Sequence, residues 1–145
     1  MTVDDNKALV QRFCTEVFED GNLDAIESLT TDDFVDSTLP AWATAGRDGL
    51  RQHVAFLQSS FGEYRFTIQD QVADEDNVVL FWTLDGTHHG HFMGLAPTEK
   101  PINTRIVSLV RLRDGRVAEY RGHPDVRGTI VQLGATATLS MPEPV

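Results

Sequence analysis

The spacing of apolar residues changes at Gly62, and that change decides the class of fold. Before it, apolar side chains recur at three- and four-residue steps: Leu9, Val10, Phe13, Cys14 and Val17, then Leu23, Ile26 and Leu29, then Leu50, Val54 and Leu57. Such steps put one buried stripe on each of three helices. After Gly62 the apolar residues alternate. Tyr64, Phe66 and Ile68 oppose Arg65, Thr67 and Gln69; Ile102, Thr104, Ile106, Ser108, Val110 and Leu112 oppose Asn103, Arg105, Val107, Leu109 and Arg111. Alternation of this kind belongs to strands with one buried face. Helices followed by antiparallel strands give an α+β fold, three N-terminal helices packed on a strongly curved, mainly antiparallel sheet. A bent sheet closed by helices forms a cone whose apolar interior can hold one small ligand.

The punctuation between these runs sets the remaining boundaries. Asp4 and Asp5 can cap the first helix, which should stop near Gly21, and Asn22 caps the second. A brief apolar pair, Phe34-Val35, follows. Thr38 to Gly46, with Pro40 and Trp42, has no period and reads as a loop whose tryptophan plugs a core or meets a ligand. The third helix carries His53 on its apolar stripe, where a hydrogen-bonded boundary histidine is the ordinary explanation. Val78 to Leu84 is a strand, entered from the turn Asp74-Glu75-Asp76-Asn77. Asp114-Gly115 makes a hairpin into the last strand, on which Val117, Glu119, Arg121 and, with continued extension, His123 and Asp125 share a face. Pro124-Asp125-Val126-Arg127-Gly128 suits a helix N-cap. One domain is expected over residues 1–134, with an extended or disordered tail over 135–145.

Composition narrows the partners. With 145 residues, 41% of them hydrophobic, the chain reads as an ordinary globular protein, and its net charge of −10 repels phosphate backbones, which argues against a nucleic-acid partner. Arg111, Arg113 and Arg116 form only a small cluster with Asp114 inside it. The single cysteine, Cys14, leaves no internal disulfide. No run approaches the roughly 20 apolar residues of a membrane span, and the N-terminus lacks the apolar centre of a secretion signal, so a cytoplasmic protein without a membrane partner is expected. His88, His89 and His91 invite a metal, but His88 and His89 point to opposite faces of a strand, and only His89 with His91 and a distant carboxylate could form a site. No metal is expected.

Asn6 with Phe13, Gly21-Asn22-Leu23-Asp24-Ala25, Asp33-Phe34-Val35, Gly46 with Gly49-Leu50, Gly86-Thr87-His88 with Gly90 and Gly94, Pro97-Thr98, Arg111 with Asp114-Gly115-Arg116-Val117-Ala118-Glu119, Asp125 and Gln132-Leu133-Gly134 occur in an order that resembles the SnoaL-like polyketide cyclases, or ester cyclases, of the NTF2-like superfamily. The resemblance runs from about Asn6 to Gly134. It implies an NTF2-like cone, a homodimer, a small hydrophobic polyketide substrate and a cofactor-free intramolecular aldol ring closure. It further implies that Asp125 is the acid/base and that His88 lines the same cavity. Asp36, Trp42, Trp82, Phe92, Arg105 and Arg121 are the candidate substrate-binding residues. Asp36, where the family often has Asn or His, and Arg121, where it often has Trp, depart from the pattern. Those departures leave open an epoxide-opening or ether-forming enzyme using Asp36, Arg105 and Asp125, a SnoaL-like hydroxylase, and a non-catalytic binding module.

Overall fold

The computed structural model describes residues 1–39 and 43–135. Trp42 and the tail beyond Ala135 lie outside the described residues. Helix α1 (Val3–Phe13) opens one turn earlier than the acidic pair suggests. The Thr2 hydroxyl accepts from the Asp5 N–H, and the Asp5 carboxylate accepts from the Thr2 N–H, a reciprocal cap that satisfies two otherwise orphaned donors. The helix widens into a π-helical segment, Cys14–Glu19, where the Asp20 N–H donates to the Thr15 carbonyl five residues back. Then come α2 (Ala25–Leu29), β1 (Thr30–Asp36), α3 (Gly46–Ser60), β2 (Phe61–Ala73), β3 (Asn77–His88), β4 (Pro101–Arg113), β5 (Arg116–Pro124) and α4 (Val126–Gln132).

The five strands form one sheet in the order β1-β5-β4-β3-β2, antiparallel except for the parallel pair β1 and β5. The α+β class follows the change of period at Gly62, with two additions. The short stretch around Phe34 is a full strand because Phe34 and Asp36 turn inward beside β5. The segment after Asp125 is a fourth helix. Asp114 and Gly115 both take left-handed backbone angles, φ 53° and 72°, as a tight hairpin between right-twisting strands requires.

The expected face of β5 is interrupted. Leu112 pairs with Val117 while Arg111 pairs with Glu119, so Ala118 is an extra residue and β5 bulges there. Val117 therefore faces the core, as do Tyr120 and Gly122, whereas Glu119 and Arg121 share the outer face. There Glu119 pairs with both Arg111 (3.1 Å) and Arg121 (2.9 Å).

The core lies between the inner sheet face and the helices. Val78, Leu80, Trp82 and Leu84 of β3 and Ile102, Ile106, Val110 and Leu112 of β4 meet Phe13, Phe18, Leu50, Val54 and Leu57. Each such side chain fully buried is worth about 1.5–3 kcal/mol. Irregularities at Gly62/Arg65 and Ile68/Asp70 interrupt the β2–β3 ladder, the kind of break that bends a strand. Asn6 fixes α1 to the far end of the sheet by donating to the Asp74 and Glu75 carbonyls. Among the described residues no helix is long and apolar enough to cross a membrane.

Candidate active site

A cavity of about 620 Å³ opens between the sheet and the helices. Its walls include Phe18 of the π-helical segment, Phe66, Trp82 and Leu84 of β2 and β3, Ile106 of β4 and Phe92 of the β3–β4 connection. That volume lies within the ordinary range of about 300–1,000 Å³ for small-molecule sites. Aromatic contact organises one wall: Phe66 stacks on Trp82 at 4.6 Å, and Phe18 meets Trp82 edge-on at 6.0 Å.

A carboxylate and an imidazole meet at this wall. The parallel register that sets Asp36 beside Tyr120 places the carboxylate at the end of β1, and His53 reaches it from the middle of α3. His53 Nδ1 lies 2.7 Å from Asp36 Oδ2, with the Asp36 side chain 1% exposed and that of His53 15%. Asp36 Oδ1 accepts from the Thr38 N–H, so both carboxylate oxygens are engaged. With Nδ1 donating to Asp36, Nε2 is left as the nitrogen able to act on a guest, and among the described residues it has no hydrogen-bond partner. His53 itself lines the cavity.

Tyr120 stands next to this pair, its ring 6.2 Å from that of His53. Burial pushes its phenol well above the ordinary value, an effect the nearby Ser108 hydroxyl opposes and the Asp36 carboxylate reinforces. The phenol therefore keeps its proton and serves as a donor. Trp82 Nε1 donates to Ser108 Oγ (2.9 Å), and Ser108 Oγ lies 3.1 Å from Tyr120 Oη. This chain of contacts holds the phenol oxygen at the cavity wall.

The residues expected from the sequence separate into three groups. Trp82 and Phe92 line the cavity, and Asp36 lies behind His53. His88 is fully buried but does not line it; its Nδ1 accepts from the Thr98 N–H at 3.2 Å, and its Nε2 has no partner among the described residues. Asp125 is exposed and caps α4, its Oδ1 accepting from the Gly128 N–H at 2.9 Å; Pro124 and Val126 line the cavity on either side of it, but Asp125 does not. The reason is local: the residue before a helix turns its side chain to the orphan amides of the first turn. Arg105 lies on the outer sheet face, and Arg121 is tied to Glu119. The set Asp36, Arg105 and Asp125 is thus not assembled. His89 pairs at the surface with Glu99, away from buried His88. The imidazole of His53 is the residue that periodicity alone passes over, and its signal is a titratable group on an otherwise apolar helical stripe.

The family model described as SnoaL-like polyketide cyclase matches residues 8–133. Nogalonic acid methyl ester cyclase of Streptomyces nogalater is 27% identical over 119 residues, covering 81% of this chain and 89% of that protein. An aklanonic acid methyl ester cyclase of Streptomyces galilaeus is 26% identical over 129 residues, covering 88% and 89%. Among solved structures, IdmH of Streptomyces antibioticus, described as a candidate polyketide cyclase, superposes with a TM-score of 0.75 at 28% identity, covering 89% of this chain and 98% of that one.

Proposed function

This chain belongs to the SnoaL-like polyketide cyclase family, and on that premise we propose that it closes a ring within an aromatic polyketide methyl ester by an intramolecular aldol step in which His53, held by Asp36, carries the proton. His53 Nε2 takes the proton alpha to one carbonyl, and the resulting enolate carbon bonds to the carbon of a ketone in the same molecule. Tyr120 donates a hydrogen bond to the oxygen that becomes negative, and the imidazolium returns the proton to it. Atoms and electrons balance without a redox partner, so product and substrate are isomers. The apolar walls exclude water from the enolate and strengthen each of these contacts.

The observation that carries the reading is the 2.7 Å contact of His53 with Asp36 at the wall of the cavity. An exposed N-cap such as Asp125 has no comparable reach into it. Ring closure is tested by turnover of nogalonic and aklanonic acid methyl esters. His53→Gln is expected to lose at least about a hundredfold in turnover, and Tyr120→Phe roughly a hundredfold. Asp125→Asn is expected to stay within a few-fold of the parent. A folded Asp125→Asn without turnover, beside an active His53→Gln, would return the acid/base role to Asp125.

A homodimer is part of the same proposal. Val72, Phe81 and Val107 are exposed on the outer sheet face, where Phe81 and Val107 pair across β3 and β4. Sedimentation equilibrium should give twice the chain mass, and Phe81→Glu should shift it towards the monomer.

A further inference from the structure

The cavity holds a second polar spot, far from His53. Thr104 of β4 and Thr129 of α4 both line it, and both are buried. Their hydroxyl oxygens are 2.5 Å apart, and Thr129 Oγ1 also donates to the Asp125 carbonyl at 3.1 Å. A hydroxyl carries one proton. The arrangement that satisfies both contacts puts the Thr129 proton on the carbonyl, which can only accept, and the Thr104 proton on Thr129. Both protons are then engaged, and only lone pairs remain for a guest. This spot accepts hydrogen bonds and gives none. The opposite end can have the other polarity: Ser108, which accepts from Trp82, can give its own proton to Tyr120 Oη and so leave the phenol proton for a guest. On β4 the two ends are marked by Thr104 and Ser108, four residues and therefore about 13 Å apart.

We infer that Thr104 and Thr129 form a specificity subsite that reads a phenolic hydroxyl at the end of the substrate remote from its reacting carbonyl. The inference rests on the proposed reading that the cavity takes an aromatic polyketide ester. It adds an orientation: the ketone or ester carbonyl points to Tyr120, and a hydroxylated ring edge points to α4. A guest offering only carbonyl or ether oxygens at that edge would face lone pairs with lone pairs. Neighbouring Leu84, Ile106 and Val126 offer nothing to compensate.

Two probes separate these cases: methyl 6-hydroxyanthraquinone-2-carboxylate and its 6-methoxy counterpart, titrated calorimetrically into the full chain. The parent should prefer the phenol by roughly tenfold, the worth of one hydrogen bond in an apolar site. Thr104→Ser, which keeps the hydroxyl, should retain the preference, and Thr104→Val should reduce it to within about twofold. Thr129→Val is the sharper variant. It frees the Thr104 proton, so the subsite gains a donor and the preference should fall or reverse towards the methoxy probe. A parent that binds both probes equally, or a Thr129→Val protein with the parent's preference, overturns the subsite while leaving the cavity reading intact. A parent that binds neither probe overturns both. Melting temperatures confirm that each variant is folded.

Discussion

Gly122 shows how little room there is beside Tyr120. A Cβ at this position would sit 2.6 Å from Tyr120 Oη, closer than packed atoms come, so a methyl group must push the phenol off Ser108. Gly122→Ala is expected to lower turnover by roughly a hundredfold through that displacement, in a protein that still folds but loses about 1–3 kcal/mol to the crowded core. Equal activity would mean that the phenol is not held where the chemistry needs it. His88 carries a prediction about stability. It is fully buried and holds the backbone of Thr98, so His88→Ala should cost on the order of 2–4 kcal/mol of stability by urea denaturation. A His88→Ala protein with parental stability would assign that side chain a role other than packing. Asp36 and His53 are each visible in the sequence as single residues. Their meeting is not, because it depends on a helix and a strand whose relative placement no local spacing encodes.

Element by element, the helices and the long strands follow from period, and the exceptions have local causes. β1 is hard to see because an edge strand of seven residues buries three polar groups, Thr30, Thr31 and Asp36, where alternation would want apolar ones. The bulge at Ala118 is invisible because an inserted residue leaves composition unchanged while reversing the facing of everything before it. The N-cap at Asp125 is legible from Pro124-Asp125-Val126-Arg127-Gly128, and a cap is the role its carboxylate has in the fold. The residue that follows β1, Ser37, also carries a pH signature. The Ser37 hydroxyl donates to Glu119 at 2.7 Å and, with Arg121 and Arg111, holds that carboxyl below its usual value of 4.5 in spite of partial burial. A depressed carboxyl stabilises the fold above its unfolded value, and the contribution is lost as the pH falls through the folded one. Ser37→Ala should therefore lower stability at pH 7, by no more than about 1 kcal/mol for so solvated a group, and the difference should shrink at pH 3. Parallel urea midpoints at the two pH values would refute the link between β1 and Glu119.

For the molecule as a whole, the cavity is a volume that the core leaves unfilled. A guest that binds only the folded state adds about 2.7 kcal/mol of stability at a hundred times its dissociation constant. For a chain of 145 residues that corresponds to a rise in melting temperature of roughly 5–10 °C. Ile106→Trp, placed on the cavity wall, should abolish the rise while the protein remains folded. A rise that survives would put the guest elsewhere. The cone and its hollow were foreseeable from the order of helices and strands, but not which wall would be polar. That depends on which side chains the bulge and the parallel pairing turn inward.

The parallel pairing also sets when β1 can enter the sheet. β1 has a single neighbour in the sheet, and that neighbour is the last strand of the chain. A polypeptide made from its N-terminus carries Asp36 and His53 early, yet β1 has no strand to pair with until residues 116–124 have been made and docked. On the proposed reading, a chain interrupted before its final hairpin lacks the strand that flanks Asp36 and should not turn over substrate.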